Sequence, residues 1–599
     1  MDKSLEKSLT QWLRGQKSAC GHFLKLSILL GILNGFAIVA QAYCLATILD
    51  GVIMQQLAVS ELSHYFISLI GLFGLRAILA FGRERVSFEA GRRLREHIRQ
   101  AVLHKLIALG PVFIKGKPAG AWASIVFEQV EDLHDFYAKY LPQMILAGFI
   151  PITILACVFP LNWAAGLILL ATAPLIPLFM ILVGMGAADA NRKNFTALAR
   201  LSGHFMDRLQ GMATLKLFNR AEAELGKIEQ ASEDFRTRTM AVLRMAFLSS
   251  AVLEFFAAVS IAVLAVYFGF SYLGHLNFGH YGAGISLFTG MFVLIMAPEF
   301  YQPLRDLGAH YHAKAQAIGA AESLVDLLET PETYLANSSS SPDKDMLSTP
   351  QDQIDLATVA ITATDLKVFS QDGACLLGPV SFEVNTGEHV AVVGPSGAGK
   401  TSLINALLGF LPYQGSLKIN GVELKQIPLA KWRSHLAWLG QDPQLFHGTL
   451  RDNVALANPE LTDEQILSLL SRAQLADFVA QHHQGLDAPI SDQAAGVSVG
   501  QAQRIALARA FAQDASVFVL DEPTASLDKH SEMQIMQSIN QAISAKTCIT
   551  VTHRLDELSD MHKILVLSKG KLTQAGSYQE LVADEAGLFA RLVAGKEAV

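Results

Sequence analysis

Residues 389–402 read His389-Val390-Ala391-Val392-Val393-Gly394-Pro395-Ser396-Gly397-Ala398-Gly399-Lys400-Thr401-Ser402. The first five have the apolar pattern of a buried strand, and the rest is a complete G-x-x-x-x-G-K-[ST] loop that leads into an apolar helix. Small residues in such a loop let backbone N–H groups turn towards a phosphate at the helix N-terminus. We therefore predict an α/β P-loop domain that binds ATP through residues 394–402. In it Lys400 contacts the β- and γ-phosphates and Thr401 helps to hold Mg²⁺.

A second apolar run, about 120 residues further on, ends in two carboxylates. It reads Val517-Phe518-Val519-Leu520-Asp521-Glu522. A carboxylate at the end of a strand beside a phosphate loop is placed to hold Mg²⁺, which we predict for Asp521. The next carboxylate, Glu522, is placed to polarise an attacking water as a general base. Together the two runs predict a domain that hydrolyses ATP.

The composition sets this domain apart from the first half of the chain. Of 599 residues, 51% are apolar and 17% are charged, against about 25% charged in an ordinary soluble protein. Charge is scarce before about residue 352, which predicts a membrane half followed by a soluble half. The net charge of -7 gives no support to nucleic-acid binding. The five cysteines have no paired spacing, which is typical of a reducing compartment.

Six apolar stretches are each long enough to cross a hydrocarbon layer of about 30 Å. They are Phe23–Ile48, Tyr65–Phe81, Leu141–Phe159, Trp163–Ala187, Met245–Leu273 and Tyr281–Phe300. Lys and Arg are concentrated in the loop after the second stretch and the loop after the fourth, and the other three loops contain none. By the positive-inside rule the two basic loops and both termini are cytoplasmic. Ala40-Gln41-Ala42 resembles a signal-peptidase site, but cleavage there would leave five spans and place the nucleotide domain outside, so we exclude it.

The chain is predicted to have four parts: an amphipathic segment (1–22), a polytopic six-helix transmembrane domain (23–330), a polar linker (331–356) and the nucleotide-binding domain (357–599). Both basic loops exceed fifty residues and have helical patterning. They therefore predict helices that continue from the spans into the cytoplasm, with a separately folded insert as the alternative. In the first segment Leu5, Leu9, Trp12 and Leu13 share one helical face, which predicts a short helix along the inner membrane surface.

Four further motifs occur in a fixed order around the second run, and with them the chain resembles the ABC superfamily. Gln441 lies in a stretch similar to the Q-loop, and Val497-Ser498-Val499-Gly500-Gln501 resembles the signature, usually Leu-Ser-Gly-Gly-Gln. Asp528 ends a stretch that resembles the D-loop, and His553 resembles the switch histidine. Phe369 lies where the superfamily often has an aromatic residue that stacks on adenine. Six spans ahead of one such domain resemble an exporter-type half-transporter.

The resemblance implies how these residues act. Two nucleotide domains dimerise head to tail, with ATP between the phosphate loop of one and the signature of the other. Ser498 and the Gly500 amide contact the γ-phosphate held by the partner, and Gln501 and Asp528 belong to the same nucleotide-binding set. Gln441 links Mg²⁺ and the attacking water to the membrane domain, and His553 stabilises the transferred phosphate.

Longer stretches resemble the CydDC family of heterodimeric bacterial transporters. They are residues 116–120, 140–144, 172–177, 184–191 and 311–315. This resemblance implies a CydC-like second half, a multi-pass location in the bacterial inner membrane, and export of reduced cysteine and glutathione in support of cytochrome assembly. Haem transport is the alternative within the family, and a non-transporting ATPase regulator is the alternative from another class. Val499 in the signature, and Ser491-Asp492-Gln493-Ala494 where exporters commonly have Gly-Glu-Arg-Gly, predict a half that works with a different half.

Four residues of the membrane half are candidates for contact with the transported molecule. Arg76 lies inside the second span and Glu254 inside the fifth. A charge at the bilayer centre costs about 2.5–3.5 kcal/mol on insertion scales, so such residues usually face a polar cavity or each other. We expect Arg76 to attract an anionic substrate, with a structural Arg76–Glu254 pair as the alternative. Tyr311 and His312 follow the sixth span, where they could ligate haem iron or hydrogen-bond a peptide, or simply pack between helices.

Overall fold

The computed structural model falls into two compact units, residues 1–104 with 118–330 and residues 105–117 with 331–599. The residues it describes are 3–117, 119–176, 178–179, 197, 201, 205–206, 208–209, 211–282, 284–331, 354–370, 373–490, 497–524 and 529–594. Most of the predicted linker, the stretch 184–191, residues 491–494 and Asp528 lie outside these ranges. Each unit is described by itself.

The first unit is helical. Its helices are α1 (Lys3–Gly15), α2 (Gly21–Ile53), α3 (Ser63–Lys115), α4 (Ala119–Ala123), α5 (Leu141–Val158), α6 (Trp163–Thr172), α7 (Met212–Leu217), α8 (Ala221–Tyr272), α9 (Leu287–Ala309) and α10 (Tyr311–Glu329). The last part of α3, from Lys105 onward, belongs to the second unit. Buried side chains of α2, α5, α6, α8 and α9 form a continuous apolar core. This core lies within the stretches that the sequence predicts to be membrane-embedded.

Among the described residues, four helical segments are long and apolar enough to cross a membrane. They are Gly21–Ile53, Ser63–Lys115, Phe136–Val158 and Glu254–Tyr272. The fourth predicted span is helical over Trp163–Thr172 and then passes largely outside the described residues. The prediction that the sixth span begins at Tyr281 is wrong. Its helix begins at Leu287, because Gly282 and Gly284 have positive φ angles of 101° and 69° that interrupt a helix.

Two helices are much longer than a membrane is thick. Helix α3 has 53 residues and α8 has 52. At 1.5 Å per residue each covers roughly 80 Å, more than twice the hydrocarbon thickness. Within the described residues these two spans therefore continue as helices, as the patterning predicts. Helix α3 is broken once, at Gly110 (φ 79°), directly before Pro111.

A pair of glycines brings α2 and α5 close together. A Cβ added at Gly31 would lie 2.5 Å from Leu146 Cδ1, and one added at Gly35 would lie 3.2 Å from Ile150 Cγ1. The spacing is the small-xxx-small pattern that lets membrane helices pack at short range. The two glycines thus allow the first and third predicted spans to pack closely against each other.

We expect Gly31→Leu to reduce the yield of folded protein and its melting temperature, because overpacking a tight seam typically costs about 1–3 kcal/mol. Gly71→Leu is the matched control, since Gly71 lies in α3 and has no heavy atom within 4 Å of an added Cβ. Thermal unfolding in detergent measures both. Equal melting temperatures for the two variants would contradict a packing role for Gly31.

The N-terminal segment forms the predicted helix, and part of its apolar face is covered by protein. Leu9 and Leu13 are buried, and the Tyr137 hydroxyl donates a hydrogen bond to the Leu13 carbonyl oxygen. The helix is thus held partly by protein, and its position along the inner membrane surface stays a prediction. The amphipathic pattern indicated a helix with one buried face, and it could not distinguish lipid from protein as the cover.

The second unit is an α/β domain built on β1 (Ile361–Phe369), β2 (Cys375–Val384), β3 (His389–Val393), β4 (Tyr413–Ile419), β5 (Val422–Glu423), β6 (Leu436–Leu439), β7 (Gly448–Thr449), β8 (Pro489–Ile490), β9 (Val517–Asp521), β10 (Thr547–Val551), β11 (Lys563–Ser568) and β12 (Lys571–Gly576). The main sheet has the order β12-β11-β3-β10-β9-β6, and all its neighbours are parallel except β11 with β12. A four-stranded antiparallel sheet has the order β2-β1-β4-β5.

Helices cover this sheet and join its strands. They are α11 (Lys400–Leu407), α12 (Leu429–Ser434), α13 (Leu450–Ala455), α14 (Asp463–Arg472), α15 (Ala476–Gln481), α16 (Val499–Ala512), α17 (Lys529–Ile543), α18 (Tyr578–Ala583) and α19 (Leu588–Val593). Strands β3, β9 and β10 are almost entirely buried, which matches their unbroken apolar sequences.

Candidate active site

The predicted catalytic residues meet at one edge of the main sheet. Strands β3, β10, β9 and β6 are neighbours and parallel, so their carboxyl ends lie together. The phosphate loop follows β3, His553 follows β10, Glu522 follows β9 and Gln441 follows β6. In parallel α/β sheets ligands bind at this edge.

The phosphate loop has a backbone that only small residues permit. Gly394, Gly397 and Gly399 have positive φ angles of 151°, 77° and 99°. A Cβ added at Gly394 would collide with the carbonyl oxygen of Leu567. Gly399 is the residue before α11, so the loop leads directly into the helix N-terminus. Residues 394–402 thus have the backbone that an anion-binding loop requires.

Lys400 is buried beneath this loop. Its Nζ donates hydrogen bonds to the carbonyl oxygens of Gly394, at 2.7 Å, and Pro395, at 3.1 Å. Burial lowers the pKa of Lys400, and the carboxylates of Glu522 and Asp521 act in the opposite direction. The ammonium group is therefore already fixed where phosphate oxygens would bind.

Glu522 is held by two of the residues predicted with it. Gln441 Nε2 donates to Glu522 Oε2 at 3.1 Å, and His553 Nε2 lies 3.1 Å from Glu522 Oε1. The Glu522 backbone has a φ of 50° and donates its N–H to the Val551 carbonyl oxygen. A non-glycine residue in this conformation is uncommon and often marks a functional position. The geometry presents a carboxylate flanked by an amide and an imidazole, which suits a general base for water.

Asp521 sits deeper than Glu522, with 8% of its surface exposed. Burial, with Glu522 second, raises the pKa of Asp521 to about 6. Its carboxylate, the Thr401 hydroxyl and the Gln441 amide oxygen are hard oxygen donors of the kind that Mg²⁺ prefers beside phosphates. These residues fit Mg²⁺, which when bound would neutralise phosphate charge. Among the described residues no three His, Cys, Asp or Glu side chains gather as a metal cluster.

The raised pKa of Asp521 predicts a pH-dependent stability in the absence of ligands. The folded protein binds the Asp521 proton more tightly than the unfolded chain, so this residue favours folding most below about pH 4 and the benefit is lost as the pH rises through about 6. Above pH 6, Asp521→Asn should therefore increase the free energy of unfolding of the nucleotide-free domain by at most about 3 kcal/mol. The increase is measured as a higher melting temperature. The gain should vanish towards pH 4. Asp514→Asn, at an exposed carboxylate, is the control, and equal profiles for the two variants would refute the prediction.

The signature lies at the start of α16. Ser498 Oγ accepts a hydrogen bond from the Gln501 backbone N–H, and Gln501 Oε1 accepts one from the Ser498 backbone N–H. Val499 is 65% exposed on this helix end. Ser498, Gly500 and Gln501 are thus held at the surface, where a second nucleotide domain could reach them.

Sequence reasoning missed one buried residue of the site. Gln503 is 2% exposed, and its Nε2 donates to the carbonyl oxygens of Glu522, at 3.1 Å, and Pro523, at 2.8 Å. It ties the signature helix to the backbone of the catalytic carboxylate. A glutamine among the alanines of Gln501–Ala508 was the available signal, since a polar residue on the buried face of a helix needs partners.

Phe369 ends β1, half-buried, opposite Cys375 of β2. The next residue of β2, Leu376, has its carbonyl oxygen 3.2 Å from the position of a Cβ on Gly399. Phe369 thus pairs with Cys375, and the residue after Cys375 approaches the phosphate loop. The contact of Phe369 with adenine stays a prediction. Asp528 is outside the described residues.

In the membrane unit the structure separates Arg76 from Glu254. Arg76 Nη1 donates to Gln41 Oε1 at 2.5 Å, and Nη2 lies 3.5 Å from Glu299 Oε1. Glu254 instead accepts a hydrogen bond from Arg305 Nη1 at 2.8 Å. The alternative of an Arg76–Glu254 pair is therefore wrong.

Tyr311 and His312 begin α10 and are both partly buried. Their contact with a transported molecule stays a prediction. Sequence reasoning also missed Glu299 and Gln41. The first lies inside the sixth predicted span, and the second was noticed only as part of a cleavage pattern.

Comparison with known proteins agrees with both halves of this architecture. The family described as ABC transporter transmembrane region matches residues 24–295, and the family described as ABC transporter matches residues 377–525. A bacterial Atm1-family ABC exporter with ATP bound has the same fold, with a TM-score of 0.77 over 97% of this chain and 99% of that one at 21% identity. The chain is therefore an ATP-hydrolysing subunit of a membrane transporter.

Relatives in two organisms are similar over their full length. The transport ATP-binding protein AarD of Providencia stuartii is 52% identical over 99% of both chains. The glutathione/L-cysteine transport system ATP-binding/permease protein CydD of Escherichia coli (strain K12) is 52% identical over 100% of both chains. This chain belongs to the CydD family of ABC transporter subunits.

Proposed function

We propose that this protein exports small thiols, glutathione and L-cysteine, from the cytoplasm, driven by ATP. The observation that supports ATP-driven transport is the position of the Glu522 carboxylate, which contacts Gln441 and His553 at 3.1 Å each. A regulator that only senses would not need this arrangement. The cargo is inferred from the name of the Escherichia coli relative.

The nucleotide is proposed to bind between two domains. ATP would lie on the phosphate loop of one half, and Ser498 and the Gly500 amide would reach the γ-phosphate held by the other half. Asp528 belongs to the same contact surface. Glu522 would accept the proton of the attacking water, and His553 would stabilise the phosphate that leaves.

The partner is proposed to be a CydC-like half. Support comes from Val499, which is 65% exposed at the signature, where the usual sequence has glycine. A branched apolar side chain on this surface favours a partner shaped to receive it over a second copy of the same chain. A CydC protein of Bacillus subtilis is 29% identical over 95% of this chain, so the two kinds of half share one architecture.

We further propose a location in the bacterial inner membrane with both termini in the cytoplasm, because the positive-inside rule puts the basic loops there and ATP is available there. Arg76 is the candidate that would contact an anionic group of the cargo, with Glu254, Tyr311 and His312 as further candidates. Haem is the alternative cargo. Its propionates would need a cation such as Arg76, and its iron could be ligated by His312.

The experiment is ATP-dependent uptake into inside-out vesicles that contain this chain together with a CydC-like half. Labelled L-cysteine, glutathione and haem are compared side by side. We expect both thiols to accumulate above the level in vesicles that carry the Glu522→Gln variant, and haem not to accumulate. Accumulation of haem alone would replace the proposed cargo, and hydrolysis without any accumulation would favour the regulator.

The same vesicles test the partnership. Vesicles with this chain alone should show at least a tenfold lower rate of thiol uptake than those with both halves. Uptake at the full rate by this chain alone would contradict the heterodimer.

A further inference from the structure

Three polar side chains from three helices of the membrane unit meet, one of them buried and two partly exposed. Gln41 of α2 and Glu299 of α9 both contact the guanidinium of Arg76, which belongs to α3. Each of the three residues lies twelve or thirteen residues from the helix end opposite the basic loops. At 1.5 Å per residue this places all three at a common depth of roughly 18–20 Å. We call Gln41, Arg76 and Glu299 the polar triad.

The polar triad is not a closed structural ion pair. The side chains of Arg76 and Glu299 are 27% and 33% exposed, and their single contact of 3.5 Å is long for a charge-assisted hydrogen bond. The Glu254–Arg305 contact, by comparison, measures 2.8 Å. A guanidinium has five N–H donors in a fork that matches a carboxylate, and the described contacts use two of them. Both charges thus retain room and hydrogen-bonding capacity.

The triad offers a cation and an anion side by side, which is the complement of a zwitterion. An α-amino acid carries an ammonium and a carboxylate on one carbon atom. L-Cysteine has this group, and glutathione has it at its γ-glutamyl end. The two compounds in the name of the Escherichia coli relative therefore share this head group as well as a thiol.

We propose that the polar triad binds the α-amino acid head group of the transported thiol, with the carboxylate on Arg76 and the ammonium on Glu299. This assignment rests on the thiol export proposed above. Gln41 positions the guanidinium through its contact with Nη1. A zwitterion that enters replaces the 3.5 Å contact by two charge-assisted contacts and leaves the site neutral. A thiol with only one of the two charges leaves the other side chain unpaired at membrane depth, which is costly. A dianionic haem would meet Glu299 as a like charge.

The test uses the complex with its CydC-like half in proteoliposomes and three thiols. L-Cysteine has both charges, cysteamine lacks the carboxylate, and 3-mercaptopropionate lacks the ammonium. The readout is the ATP-dependent transport specificity for each. We expect the wild type to prefer L-cysteine at least tenfold over either analogue. Arg76→Gln should abolish the preference over cysteamine, and Glu299→Gln should abolish the preference over 3-mercaptopropionate.

Two controls separate recognition from folding. Arg208→Gln removes an arginine of comparable exposure that contacts Glu224 at 2.7 Å in the basic loop after the fourth predicted span, and it should leave all preferences unchanged. The double variant Arg76→Gln with Glu299→Gln removes both charges together. A purely structural pair predicts recovery in the double variant, whereas head-group binding predicts that the preference stays lost.

The outcomes distinguish this inference from the proposed function. If the wild type moves neither L-cysteine nor glutathione, the proposed function fails. If it moves both, but handles the three thiols equally, the head-group site is wrong; this comparison needs no variant, so it decides even if a variant does not fold. Equal losses for all three thiols in both single variants, or recovery in the double variant, would likewise overturn it.

Discussion

Glu522→Gln is expected to lower steady-state ATP hydrolysis by about 10²–10⁴-fold while ATP binding stays close to wild type. The amide keeps the shape of the carboxylate between Gln441 and His553, whose contacts are both 3.1 Å. It cannot accept a proton from water, so the loss falls on the chemical step. Phosphate release and binding of a fluorescent ATP analogue measure the two effects separately.

The matched control is Glu388→Gln. Glu388 is a similarly shielded carboxylate, 13% exposed against 18% for Glu522, and it lies directly before β3. We expect its amide variant to hydrolyse ATP at nearly the wild-type rate. If Glu522→Gln kept more than a tenth of the activity in a complex whose partner site is disabled, Glu522 would not be the general base.

Gly394→Ala should weaken ATP binding at least tenfold and reduce hydrolysis accordingly. The added methyl group would collide with the Leu567 carbonyl oxygen, which belongs to backbone and cannot move aside as a flexible side chain does. The phosphate loop must then shift as a whole. Titration with the same ATP analogue measures the loss of affinity.

Gly387→Ala provides the comparison for backbone strain. Gly387 has a φ of 74° before β3, and a Cβ there meets no heavy atom within 4 Å. The substitution should cost about 1–2 kcal/mol of stability through its left-handed backbone and leave ATP affinity unchanged. Similar affinities for the two variants would show that the steric argument for Gly394 is mistaken.

The sequence is most informative where a local pattern also determines the position in space. Buried strands read as unbroken apolar runs, and parallel strands place their carboxyl ends together. Gln441, Glu522 and His553 could therefore be grouped from the order of motifs along the chain. The backbone contact of Gln503 could not, because it depends on how α16 rotates against β9, and no local pattern reports that rotation.

The membrane half shows the same limit. Arg76 lies thirteen residues from the start of α3, whereas Glu254 lies eighteen residues from the end of α8. Their depths thus differ by roughly 7 Å, which already weakens the idea that they pair. Residue counting gives the depth of a residue, but it does not say which helices are neighbours. Glu299 therefore emerged as a partner of Arg76 only from the contact between the two side chains in the structure.

Lys400 Nζ donates hydrogen bonds to two carbonyl oxygens of its own loop, those of Gly394 and Pro395. These two contacts satisfy hydrogen-bond donors of the buried ammonium group. Binding then becomes an exchange, in which phosphate oxygens must outcompete two carbonyl groups. Adenosine has no phosphate oxygens that could replace these carbonyl groups, and a single phosphate provides few. We therefore expect the loop to select its ligand by the polyphosphate chain.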